Sequence, residues 1–491
     1  MLHLSKTKFC SAVQCPKMLW MQKNMPEQED ASVRNQAVLE SGSRVGDLAM
    51  GLFGEFTEVP YGEPGTMVAE TARLMEAGTP IIAEASFSNN GCFCSVDILK
   101  NLGDRRVELY EVKSSTHVTE IYRYDVAYQV WVLTQLGYTV EKACLVHIDN
   151  SYVRHGELEL NKLFAIADLT EEALAAGETV DSLIHSLESY MEQTAEPEMP
   201  LGEHCSSPYG CPFWKYCSRN LPSPNVFDIG GMQIKSKVKA LRSGFASFED
   251  VLNNVKLSDK ARQQVDFTVN DRPDFVDRDA IGRFLAQLSY PLYFLDFESF
   301  ATAVPRFCDS KPYQQIVFQY SLHYLESENG DLQHREYLAE PEGDPRRALA
   351  EQLCRDIPLN VCTTADNMSF ERAQIKGLAE LFPDLHDHLM NIHDHIVDLM
   401  VPFQSRWYYS KDMQGSFSIK FVLPALYPND PALDYHNLEG IHKGDEASAA
   451  FAAMAEMAPD EREKTRRELL RYCGLDTFAM VKVWEKLRSV L

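Results

Sequence analysis

Glu111 and Lys113 stand two residues apart in Val107-Glu-Leu-Tyr-Glu-Val-Lys113. On a β-strand this spacing puts both side chains on one face with Leu109, while Glu108, Tyr110 and Val112 face the other way. A second acid, Asp97, shares a face with Phe93, Ser95 and Leu99 in the stretch Cys92–Leu99, and Lys100–Asp104 reads as a hairpin turn that brings Asp97 opposite Glu111. Two carboxylates suit a hard divalent cation, and the lysine suits an attacking water or the charge growing on a phosphate. The short spacing alone is met equally by an exposed cross-strand ion pair.

A second acidic set lies far downstream. Pro291-Leu-Tyr-Phe-Leu-Asp-Phe-Glu-Ser-Phe300 reads as a central strand with Leu292, Phe294, Asp296 and Glu298 on one face. Two such carboxylates repel each other and lose solvation, which a cation between them offsets. Near the far end, Leu469, Cys473, Met480, Trp484 and Leu487 form one helical stripe. Asp476 falls within that stripe and Tyr472 lies one turn earlier, at its edge. An ionised Asp on a core-facing stripe has to be paired or bound to metal.

The third set is Cys205, Cys211 and Cys217, spaced C-x5-C-x5-C in a Pro/Gly-rich loop. Buried apolar cysteines are the plain alternative, but three thiols in such a loop suit a metal site that lacks one ligand, iron–sulfur or structural zinc.

These sets need scaffolds. A chain of 491 residues predicts roughly three domains. Its 45% hydrophobic and 24% charged residues are an ordinary globular composition. No apolar run approaches a membrane span, and Lys6, Lys8 and Lys17 break the first twenty residues, so a cytoplasmic protein with reduced thiols is expected. The net charge of −25 argues against non-specific coating of nucleic acid and leaves local basic patches and bound cations for any such contact. The pattern predicts a helix from Ser5 to Cys15, another over Gln36–Phe53, a strand at Ile81–Phe87, an amphipathic helix over Tyr124–Leu136 and a strand at Leu145–Ile148. After a linker at Leu221–Asn225 comes Ile234–Ser243, carrying Lys235, Lys237, Lys239 and Arg242, then Gly244 and a helical run Phe248–Val255. This reads as a helical hairpin touching a nucleic-acid backbone, or as a solvated face. Further strands are expected at Ile316–Tyr324 and His334–Leu338.

The first domain resembles the RecB-like PD-(D/E)XK iron–sulfur exonucleases, the group that includes those of CRISPR adaptation. The likeness rests on Cys15-Pro-Lys-Met-Leu-Trp20, Gly42-x-x-Val-Gly46, Asp97, Glu111-Val-Lys113 and Tyr128-Gln129. It implies Asp97 and Glu111 as metal ligands, Lys113 as catalytic lysine and Gln129 as the glutamine of the following helix. It also implies Cys15 as the fourth thiolate beside Cys205, Cys211 and Cys217, around a [4Fe–4S] cluster, with zinc the alternative. Two departures stand out. Val45-Gly46 replaces a metal-binding histidine, with Asp47 or Glu84 as substitutes, and Leu133 stands where relatives carry a tyrosine.

The last domain resembles DnaQ-like, RNase H-fold 3′–5′ exonucleases of the tyrosine type. Asn367-Met-Ser-Phe-Glu371 matches their middle element, with glutamate where aspartate is usual, and Asp398 and Gly415–Lys420 fall at family-like positions. The resemblance implies that Asp296, Glu298, Glu371 and Asp476 hold Mg2+ or Mn2+ and that Tyr472 orients the water. The whole chain resembles a bacterial family joining these two domains. The expected architecture is therefore α/β: a PD-(D/E)XK domain with a four-cysteine metal cluster (1–224), a basic helical connector (225–285) and an RNase H-like domain (286–491). The expected function is a metal-dependent nuclease acting on single-stranded DNA or RNA, or on duplex ends. The rival is a nucleic-acid-binding or scaffold protein whose sites have lapsed.

Overall fold

The computed structural model describes residues 3–33, 36–433, 437–438 and 440–491. The chain forms two compact units, Met1–Asn220 with Thr302–Gln314, and Leu221–Ala301 with Gln315–Leu491. Each is mixed α/β. Among the described residues no helix is long and apolar enough to cross a membrane.

The first unit is built on a seven-stranded sheet. Its strands are β1 (Leu4–Ser5), β2 (Thr57–Glu58), β3 (Ile81–Asn89), β4 (Cys92–Asn101), β5 (Arg106–Lys113), β6 (Thr139–Ile148) and β7 (Phe164–Asp168), in the order β2-β3-β4-β5-β6-β7 with β1 beside β4. The β4–β5 hairpin is antiparallel, with Ile98 opposite Tyr110. β4 runs on to Asn101, so the turn begins two residues later than the sequence suggests, and Gly103 (φ 77°), Asp104 (φ 50°) and Arg105 (φ 56°) give it three left-handed positions in a row.

β5 and β6 are parallel, joined by the crossover helix Glu120–Gln135. That helix is not amphipathic: every residue from Asp125 to Leu133 is buried. The sheet covers one side, while the helices Lys6–Gln14, Thr170–Ala175 and Gly177–Met191 cover the other. Polar side chains on it, Asp125 and Gln129, therefore have to find partners inside.

In the second unit the helices Ile234–Arg242, Phe248–Asn254 and Asp259–Val269 pack on a small apolar cluster of their own that includes Val226, Ile229, Ala240, Phe248, Val251 and Val265. The hairpin expected from Ile234 onward is present, with Gly244 at φ 85° between its helices. Lys237 turns inward and donates to the Phe227 carbonyl (2.7 Å), leaving Lys235, Lys239 and Arg242 exposed.

The strand β8 (Phe275–Val276) pairs with β14 (Tyr408–Tyr409) in a small ribbon. The main sheet has five strands, β9 (Leu292–Phe300), β10 (Ile316–Leu325), β11 (Gln333–Leu338), β12 (Cys362–Ala365) and β13 (Ile396–Asp398), in the order β11-β10-β9-β12-β13. β9, β10 and β11 are antiparallel, and β12 and β13 run parallel to β9. Tyr293, Leu295 and Phe297 of β9 face a core completed by the helices Arg346–Asp356, Met368–Leu381 and His386–Asp394. The opposite face receives the 31-residue helix Pro459–Ser489, whose Leu469, Cys473, Met480, Trp484 and Leu487 are buried as the stripe predicts. Period-2 alternation on β9 thus sends Asp296 and Glu298 toward that helix.

Candidate metal centres

At the first site Glu111 is almost fully buried (1% exposed) on β5 and binds Lys113 Nζ at 2.6 Å. Lys113 also binds Asp125 at 2.7 Å. Gln129, one turn along the helix from Asp125, donates to Glu111 (2.7 Å) and to Asp125 (3.0 Å). Beyond the Ile98–Tyr110 pair the Asp97 carboxylate takes the Val112 amide at 2.6 Å, which sets it beside Glu111. Asp97, Glu111, Lys113 and Gln129 are therefore brought together.

Two partners were not read from the sequence. Asp125 sits four residues before Gln129, a helical spacing that carries the signal. Lys6 reaches in from the start of its helix to Asp97 (3.2 Å) and Glu111 (2.9 Å). The ionisations divide. Burial raises Asp97 to about 6, helped by the neighbouring Glu111 charge. Burial also opposes ionisation of Glu111, but Lys113 and Lys6 outweigh it and hold this carboxyl well below the usual range.

Of the two substitutes for the missing histidine, Glu84 joins the site and Asp47 is exposed on its helix. The β3–β4 register, with Ala83 opposite Ile98 and Ala85 opposite Val96, sets Glu84 across from Asp97. Its backbone is left-handed (φ 56°), a strained state for a glutamate, and burial together with Asp97 raises its carboxyl to about 7. Leu133 is buried in the core.

The four cysteines meet. Cys15, Cys205, Cys211 and Cys217 line one cavity of about 20 Å³ with Met18, Leu201 and Phe213. Cys15 stands at the N-cap of the helix Pro16–Asn24, where the Met18 amide donates to the Cys15 carbonyl at 2.9 Å, and the nearby Met18 and Lys17 amides favour its thiolate. The Phe213 amide serves Cys211 in the same way. Helix and loop are tied by Gln14, which donates to the His204 and Tyr209 carbonyls (2.8 and 2.7 Å), and by Lys17–Glu196 (2.6 Å). Burial pushes all four thiols up, Cys211 to about 11, so without a cation they stay protonated. Four cysteines lining one cavity are a donor set of the kind that holds a four-thiolate metal. No three of these sulfurs lie within 4.8 Å of one another, so helix and loop would draw closer to grip a single ion.

At the second site the ligand atoms of Asp296, Glu298 and Cys473 lie within 4.8 Å of one another. Asp296 is pushed far above the carboxylate range by burial and then by Asp476, Glu298, Glu371 and Asp366. Burial and Asp476 raise Glu298 to about 8. Burial, with Asp366 and Asp398 nearby, raises Glu371 to about 8, and one of its oxygens is buried with no hydrogen-bond partner.

Asp366, at the end of β12, is the acid the sequence reading passed over in favour of Asn367. Burial and then Asp398 raise it to about 7, and the Ile419 amide points at it. Asp398 is held by the Met400 amide at 2.9 Å. The segment Gly415–Lys420 thus serves the site twice, because Lys420 also offsets the Glu298 charge and lies 6.0 Å from the Tyr472 ring centre. Tyr472, at the edge of the stripe, is buried. Burial and Asp476 keep its hydroxyl protonated far above neutral pH. The oxygen donors and the orphaned Glu371 oxygen suit a hard cation.

Behind this site His323 stacks on His334 (4.2 Å between ring centres), and its Nδ1 lies 2.8 Å from the Thr477 hydroxyl. The cavity they border is also lined by Glu336 and Arg471. Burial and then His334 lower His323 to about 4. The unfolded chain takes this proton first, so stability present above about pH 6.5 is lost as pH falls toward 4, by up to about 3 kcal/mol. His323→Gln is expected to flatten that loss, read as the denaturant midpoint of the second unit between pH 7 and pH 4.5.

A domain of unknown function (DUF2779) matches residues 293–418, a span that holds Asp296, Glu298, Asp366, Glu371 and Asp398 and stops short of Tyr472 and Asp476. No curated protein and no solved structure matches the chain.

Proposed function

We propose that this chain is a metal-dependent nuclease with two phosphodiesterase sites, the second a 3′–5′ exonuclease of the DnaQ-like, RNase H-fold kind. One observation carries the reading. Asp296 and Glu298 from β9, Glu371 from the helix after β12 and Asp476 from the last helix come together, and burial with neighbouring carboxylates suppresses the ionisation of Asp296, Glu298 and Glu371. Folding brings together acids nearly two hundred residues apart against their mutual repulsion, and metal binding is the usual compensation. Three antiparallel strands continued by two parallel ones, acids on the first strand and the last helix, support the fold resemblance.

Bound Mg2+ or Mn2+ would activate water and take up charge on the leaving oxygen. Asp296, Glu298, Glu371 and Asp476 would hold the ions. The Tyr472 hydroxyl, kept protonated, donates a hydrogen bond that orients the water and does not act as base. Lys420 is the nearby cation for a substrate phosphate.

In the first unit, a RecB-like PD-(D/E)XK site, Asp97 and Glu111 bind the cation, Gln129 fixes Glu111 and Lys113 faces the reacting phosphate. The four thiolates of Cys15, Cys205, Cys211 and Cys217 carry a metal that ties the ends of this unit, a [4Fe–4S] cluster by family likeness. The rival binding-module reading has one observation in its favour, the charge pairing of Asp97 and Glu111 by Lys6.

End-labelled single strands of DNA and RNA, with Mg2+ or Mn2+, separate the two. Asp296→Ala is expected to abolish stepwise shortening from the 3′ end, and Asp97→Ala to remove the remaining cleavage. No degradation by the unaltered chain with either ion and either nucleic acid would leave the binding module standing.

A further inference from the structure

A single ammonium engages both carboxylates of the first site. Lys6 Nζ lies 3.2 Å from Asp97 Oδ1, 3.0 Å from Glu111 Oε1 and 2.9 Å from Glu111 Oε2. One cationic atom held by both oxygens of one acid and one of another repeats the way two acids chelate a metal ion. Building on the nuclease reading, we infer that Lys6 occupies the seat of the divalent cation, so that the first site takes up metal only by displacing this ammonium.

The fold delivers Lys6 there by design of the backbone, not by chance of a surface side chain. β1 lies parallel to β4, with Leu4 opposite Cys92 and Ser5 opposite Phe93. The buried Tyr128 hydroxyl donates to the Leu4 carbonyl at 2.6 Å, fixing the strand, and Ser5 caps the helix that begins at Lys6. The origin of the side chain is therefore fixed, while its aliphatic stem leaves the head free to swing.

Charge supports the exchange. Asp97, Glu111, Asp125 and Glu84 contribute −4 at pH 8, and Lys6 and Lys113 contribute +2, a sum of −2. A dication added beside both lysines would bring the sum to 0. With Lys6 exchanged for the ion the sum is −1, nearer neutral than −2, and the two cannot share the Asp97 and Glu111 oxygens that Lys6 Nζ touches. The site would be closed by Lys6 without metal, and competent once the metal concentration is high enough to expel Lys6.

The test is manganese binding, not cleavage. In the chain carrying Asp296→Ala and Asp476→Ala, free Mn2+ is titrated by electron paramagnetic resonance at pH 8. Lys6→Met is expected to bind one ion per chain at least 10-fold more tightly than the parent, Lys6→Arg no more tightly, and Lys6→Met with Glu111→Gln not at all. An unchanged or weaker affinity in folded Lys6→Met overturns the inference and leaves the metal site intact. Binding by neither protein overturns it together with the first-site half of the nuclease reading. Binding without cleavage overturns only the nuclease reading.

A second readout needs no variant at Lys6. Acetic anhydride labelling of the Lys6 amine, followed by mass spectrometry, is expected to rise severalfold with saturating Mn2+. Labelling that stays constant while Mn2+ binds overturns the displacement.

Discussion

Asp296→Asn is expected to lose 3′ hydrolysis by at least about 100-fold and, without metal, to be more stable than the unaltered chain by about 1–3 kcal/mol. The two effects have one origin. Asp296 is driven far above the usual carboxylate range by burial and by Asp476, Glu298, Glu371 and Asp366, which an amide of the same shape does not feel. The sign follows from linkage. Below the unfolded value near 4 both states hold the proton and the penalty vanishes; it grows as pH rises, because the unfolded chain releases a proton that the folded one retains. Denaturation in chelator should show the variant ahead at pH 7 and level with the parent near pH 4. Added Mn2+ should reverse the order, since only the unaltered chain gains from binding. Loss of activity with an equal loss of stability would instead mark Asp296 as an ordinary structural residue.

Cys211→Ser is expected to cost the first unit several kcal/mol and to spare 3′ trimming by the second. The four thiols join the helix Pro16–Asn24 to a loop nearly two hundred residues later, and the Gln14 and Lys17 contacts depend on that junction. Metal analysis and the visible spectrum of protein purified without oxygen check it. A brown protein with about four irons per chain, bleached by the substitution, supports the cluster. A colourless protein with one zinc assigns zinc. No bound metal, with Cys211→Ser as stable as the parent, removes the site.

Much of the first site was legible because strand alternation and a hairpin turn are local. Glu111 and Lys113 follow from period-2 spacing, and Asp97 from the hairpin that folds its strand back beside theirs. Lys6 was not legible, since a lysine opening a capped helix looks like a solvated end, and only the β1–β4 pairing carries it inward. Glu84 was one of two substitutes until the register set it opposite Asp97. Asp125 could have been found from its helical spacing to Gln129, but an amphipathic helix was expected there, and such a helix offers an acid a wet face. From Asp125 to Leu133 the observed helix has none.

In the second unit the Asp476 stripe and the β9 acids were readable because a charge on an apolar face is conspicuous. Asp366 was hidden because it follows a four-residue strand too short to show alternation, and Asn367 beside it drew the motif match. The convergence of the four cysteines was reachable only through resemblance, since no local pattern links Cys15 to Cys205 across that length of chain.

The most direct test of buried acids set around a cation is equilibrium Mn2+ uptake by the chain before and after the double change Asp296→Asn and Asp476→Asn. The unaltered protein should take up about two more ions than the double variant, at unchanged fold by circular dichroism. Equal uptake by both would mean that these carboxylates were not gathered for metal.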